Sequence, residues 1–221
     1  MTRFSRYQLR TTEIAGARAF YAAVLGGDEA EIVALPAQAA AAGAPAHWLG
    51  HLGVSDVEAA AHAFVARGAT RLGPPGEVAL LRDPVGAIIA LEPAGRAPAG
   101  PEVVWHQLST PDLALAASVY AEICGFEVAA RAEGPYGAHQ PFAWQAGGEP
   151  VGWLFDSAGR PEIHPAWLFH FSVASLDTAL AAVKAGGGLV VGSFELPRGE
   201  RLAVCDDAQG AAFALRERGM R

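Results

Sequence analysis

The chain repeats itself, and no other feature narrows its fold as far. Tyr7-Gln8-Leu9-Arg10-Thr11 is matched by His106-Gln107-Leu108-Ser109-Thr110 at an offset of 99. The same offset pairs Tyr21 with Tyr120 and Gly26 with Gly125. Trp48-Leu49-Gly50-His51 is matched by Trp167-Leu168-Phe169-His170 at an offset of 119, which also pairs Val54 with Val173 and Gly68 with Gly187. Residues 86–91 match residues 210–215 at an offset of 124. The order is kept and the offset only grows. That is a duplication, with about 25 more residues (124 − 99) in the second copy. Between the copies, residues 92–101 read EPAGRAPAGP. Pro and Gly at that density continue neither a helix nor a central strand. The expected organisation is an abbreviated N-terminal domain at 1–95, a linker at 96–102 and a C-terminal domain at 103–221.

Within each copy the pattern is strand, helix, strands, used twice, which places the chain in the α+β class. Residues 4–10 and 103–109 read as strands. Thr110-Pro111-Asp112 reads as a helix start, with Thr as cap, Pro at the first position and an acid in the first turn. Leu113, Ala116, Ala117, Tyr120 and Ile123 follow at helical spacing, and Gly125 ends the run. Residues 127–132, 140–145, 151–156 and 167–173 read as strands. A helix over 175–185 stops at Gly186, and strands at 189–194, 201–205 and 211–216 complete the copy. Gly186-Gly187-Gly188 follows a helix, so it is a stop and not a phosphate cradle. In copy one, only residues 30–35 form a strand between Gly27 and Trp48. Its sheet should therefore lack two strands.

Composition narrows the partners. Hydrophobic residues make up 52% and charged residues 18%, which excludes a largely disordered chain. The net charge is −7 with no basic stripe, which argues against nucleic acid and against anionic membranes as partners. Two cysteines, Cys124 and Cys205, are too few for a disulfide framework or a Cys-rich zinc site. The first ten residues lack the apolar run of a signal peptide, and no stretch of 18 apolar residues occurs. The expectation is a cytoplasmic protein with a small organic ligand as partner. Homodimer formation stays open.

Strand, helix and three strands, used twice per copy, resemble the vicinal oxygen chelate superfamily, the glyoxalase, bleomycin-resistance and extradiol-dioxygenase group. The residues that carry the likeness are Asp112 through Tyr120 and Gly125, the strand Trp167-Leu168-Phe169-His170-Phe171-Ser172-Val173, and the turns Asp83-Pro84-Val85-Gly86 and Asp207-Ala208-Gln209-Gly210. The resemblance implies two tandem glyoxalase-like domains of paired βαβββ modules, with curved mixed sheets that each cup a cavity. It also implies one divalent metal held by His, Gln or Glu from the first, fourth, fifth and eighth strands. Carried onto this chain, the first-strand position is Trp105 in copy two and Arg6 in copy one. The fourth is near Gly152, and at Val33 or Ala34. The fifth is His170 and His51, and the eighth Ala214 and Ala90. A divalent metal needs about three N or O ligands. Trp and Ala offer no lone pair, and Arg stays protonated. The expectation is therefore no metal and no other cofactor. Two rescues would restore a divalent metal. A one-residue strand slip would turn His106 toward His170, or Glu92 and Gln8 would join His51.

Trp105 replaces a polar ligand with an aromatic wall, and Phe142 with Trp144 lies on the strand pair that copy one lacks. Such walls favour a flat or apolar small molecule. Gln107, His170 and Arg216 supply polar contacts, and Leu154 completes the expected lining. The glycine-rich segment at 134–139 reads equally as a lid or as a turn. One reading is a metal-independent protein that binds an aromatic or apolar ligand in the second cavity. The alternative is an enzyme of the same superfamily. It would be a metal-dependent lyase, isomerase or dioxygenase, or a metal-free isomerase or cyclase with His170 as catalytic acid or base. A third reading gives the domain pair a role in protein association. The sequence does not decide whether there is turnover.

Overall fold

The computed structural model describes every residue except 28–29, 96–99, 135, 197–198 and 219–221. The expected linker at 96–102 and the segment at 134–139 fall partly on those residues, and to that extent lie outside the described residues. Among the described residues, the first copy forms a mixed six-stranded sheet. β1 (Arg3–Thr11) leads into α1 (Ile14–Val24) and then β2 (Glu31–Ala34), which runs parallel to β1 with Leu9 opposite Ile32. A short helix, α2 (Ala37–Ala41), follows. The second module is β3 (His47–Val54), α3 (Val57–Ala66), β4 (Thr70–Arg71), β5 (Ala79–Arg82) and β6 (Ile88–Pro93). The strand order is β2-β1-β3-β6-β5-β4. β6 lies parallel to β3, while β4, β5 and β6 form antiparallel pairs.

The second copy repeats the plan in full. β7 (Val103–Thr110) is followed by α4 (Leu113–Cys124), β8 (Glu127–Val128), β9 (Ala132–Gly134), β10 (Gly137–Ala143) and β11 (Gly152–Asp156). Then come β12 (Ala166–Val173), α5 (Leu176–Ala185), β13 (Leu189–Glu195), β14 (Arg201–Asp206) and β15 (Ala212–Glu217). The order is β13-β14-β15-β12-β7-β11-β10-β8, with β9 beside β10. Each full module sets its last strand parallel to its first: β6 on β3, β11 on β7 and β15 on β12. Among the described residues, the first module of copy one has as strands only β1 and its parallel partner β2, without counterparts of β8 and β10, which is the abbreviation expected from the growing offset.

Residue chemistry sets the helix ends. The N-cap of α4 is Asp112, whose side chain accepts from the N–H of Leu115 at 2.9 Å. Thr110 Oγ1 instead accepts from the N–H of Asp112 at 3.1 Å, so the helix starts two residues later than the Thr-Pro pattern suggests. Gly125 closes α4 at φ +72°, a left-handed position that favours glycine. Cys124 and Cys205 are buried free thiols. No helix among the described residues is long and apolar enough to cross a membrane.

By packing, the chain divides into two compact units. One contains residues 1–6, 50–99 and 106–167, and the other residues 7–49, 100–105 and 168–221. Each unit draws on both copies, and each is tied by the same buried network. In the first unit, the Tyr120 hydroxyl donates to Asp83 Oδ2 at 2.8 Å and accepts from Trp167 Nε1 at 3.0 Å. Asp83 Oδ1 accepts the N–H groups of Val85 at 3.1 Å and Ala87 at 2.8 Å, which folds its own turn. In the second unit, the Tyr21 hydroxyl donates to Asp207 Oδ2 at 3.0 Å and accepts from Trp48 Nε1 at 2.9 Å. Asp207 Oδ1 accepts from the N–H groups of Gln209 at 2.8 Å and Ala211 at 2.9 Å. Both tyrosines are buried, and burial beside a carboxylate pushes both phenols well above their ordinary 10.0.

Removing either hydroxyl strands a buried carboxylate oxygen and an indole N–H. Tyr21→Phe or Tyr120→Phe should cost about 1–3 kcal/mol, or roughly 2–4 °C of melting temperature per kcal/mol in a chain of this size. The phenols also predict a pH signature. The unfolded chain loses these protons near its ordinary 10.0, while the folded chain holds them. Their stabilisation is complete below that pH and is lost as pH rises above it. Urea melts from pH 8 to 11 should show a shallower alkaline decline for Tyr21→Phe/Tyr120→Phe than for wild type.

Candidate functional site

A buried polar cluster lies in copy one, within the first unit. β1 carries Ser5 and Arg6, β3 carries His51 and β6 carries Glu92. In the parallel pair His51 lies opposite Ala90, so Glu92 falls opposite Gly53, two residues along on the same face. Gly53 leaves room there, since a Cβ would come within 3.5 Å of Ser5 Oγ and 3.3 Å of the Ala94 backbone. The Glu92 carboxylate divides its work. Oε1 accepts from Ser5 Oγ at 2.8 Å, and Oε2 forms an ion pair with Arg6 Nη2 at 3.0 Å. The same Arg6 nitrogen lies 2.7 Å from His51 Nδ1. A guanidinium cannot give up its proton, so Arg6 donates and Nδ1 accepts. This assigns the imidazole proton to Nε2 and makes the ring neutral. Glu92 Oε2 and His51 Nδ1 are 3.2 Å apart. His51 and Glu92 are about 2% exposed in their side chains and Arg6 14%, so the cluster meets solvent through the arginine.

The fold family's divalent metal can be tested against these donors. In copy one, the cation facing His51 and Glu92 is already Arg6, which repels a metal and offers no lone pair. In copy two, the first- and last-strand positions are Trp105 and Ala214, which have no donors, and the fourth-strand position is closed. A Cβ on Gly152 would lie 2.1 Å from the carbonyl oxygen of His106 and 2.5 Å from the Phe142 ring. Among the described residues, no group of three or more His, Cys, Asp or Glu is placed to hold a metal. The residues present do not fit the metal.

The residues expected to line a ligand cavity fall into both units. In the second unit, His170 is fully buried and opposite Ala214. The Arg216 guanidinium lies 4.9 Å from the centroid of the Trp105 ring, a cation–π contact, and pairs with the Glu200 carboxylate. In the first unit, Phe142 and Leu154 belong to the core, at 1% and 0% exposure. Phe142 stacks on Phe126 at 5.1 Å, and Trp144 meets Phe142 edge-on at 5.5 Å. Gln107 accepts from Trp153 Nε1 at 2.8 Å and donates to Ser109 at 3.3 Å, a surface-side tie between β7 and β11.

Of the two metal rescues, the second is met in part, since Glu92 lies 3.2 Å from His51, but His106 and Gln8 are engaged elsewhere. His106 places Nδ1 2.9 Å from the Val151 carbonyl and stacks on Phe4 at 5.4 Å. Gln8 donates to Glu31 at 2.8 Å and accepts from Arg10 at 3.3 Å. Ser5 is the member that sequence reasoning missed. Alternation along β1 sends Ser5 and Arg6 to opposite faces, and nothing in the local pattern says that one carboxylate reaches both.

No protein-family model matches the chain. Solved structures share its fold over nearly its whole length. The 2,2',3-trihydroxybiphenyl 1,2-dioxygenase from Sphingomonas wittichii strain RW1 superposes with a TM-score of 0.65 at 14% identity, covering 99% of this chain and 91% of that one. The Mn(II)-bound glyoxalase from Novosphingobium aromaticivorans gives 0.64 at 12%, covering 98% and 83%. The 2,3-dioxygenase LapB from Pseudomonas sp. KL28 gives 0.62 at 16%, covering 99% and 92%. The fold, with its two mixed sheets, is that of these glyoxalases and extradiol dioxygenases. Among curated proteins, the chain is 29% identical over 216 residues to "Putative glyoxylase CFP32" of Mycobacterium bovis and of Mycobacterium tuberculosis, covering 90% of this chain and 80% of the relative.

His106 also sets an acid limit. Burial lowers its pKa from 6.5 to about 4, against a small opposing pull from the Val151 carbonyl. The unfolded chain therefore takes up this proton first as pH falls. Stability from the neutral ring is complete above about 6.5 and is lost between 6.5 and 4, by about 3 kcal/mol. Chemical denaturation across that range should show the loss in wild type and a smaller one in His106→Asn, which keeps a donor for Val151.

Proposed function

We propose that this chain is an enzyme of the glyoxalase and dioxygenase group that acts on a small organic substrate by proton transfer, without a resident divalent metal. The observation that carries the reading is the Ser5–Arg6–His51–Glu92 cluster, which joins the first-strand position Arg6 and the fifth-strand position His51 to Glu92, two residues beyond the last-strand position Ala90. Support for an enzyme also comes from the names of the relatives, a glyoxylase among curated proteins and dioxygenases and a glyoxalase among solved structures. The cluster holds the elements of acid–base work. His51 is a neutral imidazole with its Nδ1 lone pair fixed by Arg6 and its proton on Nε2. Arg6, the least buried member, offers a fixed positive charge to an anionic or carbonyl oxygen. Glu92 holds that charge in place, and Ser5 orients Glu92.

A second reading rests on copy two. Trp105 under the Arg216 guanidinium presents an aromatic and cationic surface with no metal donor, which suits metal-independent binding of a flat ligand.

One assay separates them. Protein stripped with EDTA is offered catechols and small carbonyl compounds, with turnover read by chromatography and binding by tryptophan fluorescence. The enzyme reading expects turnover without added metal. His51→Ala should then lower kcat by about 10²–10⁴-fold, while binding changes little. Binding without turnover of any compound would favour the second reading. Turnover that appears only on adding a divalent metal would refute the metal-free mechanism.

A further inference from the structure

We propose that the Arg6 guanidinium takes the place of the divalent metal in copy one, as a cation built into the chain. His51 Nδ1 and Glu92 Oε2 are 3.2 Å apart. Two donors about 2.1 Å from one ion are separated by roughly 3.0 Å in an octahedral shell and roughly 3.4 Å in a tetrahedral one. The pair is spaced as a single ion would space it. Arg6 Nη2 lies 2.7 Å from the first donor and 3.0 Å from the second, so the positive charge facing both comes from β1 itself. The roles match as well. The imidazole gives a lone pair and the carboxylate gives its charge, as both would to a metal.

Copy two supplies a separate observation. The position that matches Arg6 is Trp105, and the residue two beyond Ala214, which matches Glu92, is Arg216. Its guanidinium lies against the Trp105 ring at 4.9 Å. Each copy therefore has one guanidinium at its first-strand position, carried by that position on β1 in copy one and stacked on it from β15 in copy two.

The geometry makes copy one a single substitution away from a metal site. Arg6→His would complete two imidazoles and a carboxylate, a donor set suited to Fe²⁺, Co²⁺ or Zn²⁺. This inference stands apart from the enzyme reading, because its test needs no substrate. Full-length protein without an affinity tag is stripped with EDTA and titrated with Co²⁺ by calorimetry and visible absorption. Wild type should bind no stoichiometric Co²⁺. Arg6→His should bind one equivalent at least about 100-fold more tightly, with a new d–d band, and adding Glu92→Gln should lose most of that gain. A wild type that takes up one equivalent, lost in His51→Ala or Glu92→Gln, overturns the proposal. So does a folded Arg6→His protein that binds none. If Arg6→His does not fold, Arg6→Gly carries the test. Its melting temperature should fall by several degrees and recover with millimolar methylguanidinium or Zn²⁺, neither of which moves wild type. No fall, or no recovery with either cation, overturns the proposal.

Discussion

Two buried tyrosine–aspartate clamps hold the duplicated chain together. Each aspartate has two oxygens with two separate tasks. One folds its own turn by taking two backbone N–H groups, and the other takes a tyrosine hydroxyl from the opposite copy. Asp83 of copy one meets Tyr120 of copy two, and Asp207 of copy two meets Tyr21 of copy one. The hydroxyl in turn accepts a tryptophan N–H, so every polar atom of the network has a use in an apolar interior. A single copy alone would keep its tryptophan–tyrosine bond but leave its tyrosine hydroxyl proton and its aspartate Oδ2 without a partner. Each half of the chain therefore completes a buried hydrogen bond of the other.

That dependence explains what was legible in the sequence. Repeats are local patterns, so the offsets 99, 119 and 124 reveal the modules, the abbreviated first module and the βαβββ order. Tyr21 and Tyr120, Trp48 and Trp167, and the two aspartate turns all appear as matched positions. What the offsets hide is that the tyrosines bond across copies. An alignment pairs like with like, whereas the clamp pairs one copy's helix with the other copy's turn. The α4 start was misread by two residues for a similar reason. Thr110 and Asp112 both suit a cap, and only the geometry shows Thr110 spent on the Asp112 N–H and Asp112 on the Leu115 N–H.

The site was legible to the same depth. Counting along strands places Arg6, His51 and Ala90 at the ligand positions and puts Glu92 on the face of Ala90. It does not show that Glu92 reaches past Gly53 to join Ser5 and Arg6, because that depends on sheet curvature and on a missing Cβ. In copy two, counting places Trp105 and Arg216 two strands apart, and the structure brings them into contact.

A guanidinium in place of a metal changes the available chemistry, not only the cation. A divalent ion polarises a bound oxygen as a Lewis acid and keeps a coordination position open for it. Guanidinium has no such position. It offers N–H donors in a fixed plane, holds its proton throughout the physiological range and cannot be lost to a chelator. The burial cost of Arg6 and Glu92 is offset by their mutual attraction and by the bonds from Ser5 and to His51. What such a centre does well is fix an imidazole tautomer and present hydrogen bonds to an oxygen. What it cannot do is activate dioxygen or lower the pKa of a bound water as a metal does. On the proposal that Arg6 stands where a metal would, this first-strand position favours proton transfer and hydrogen-bond recognition over Lewis-acid chemistry.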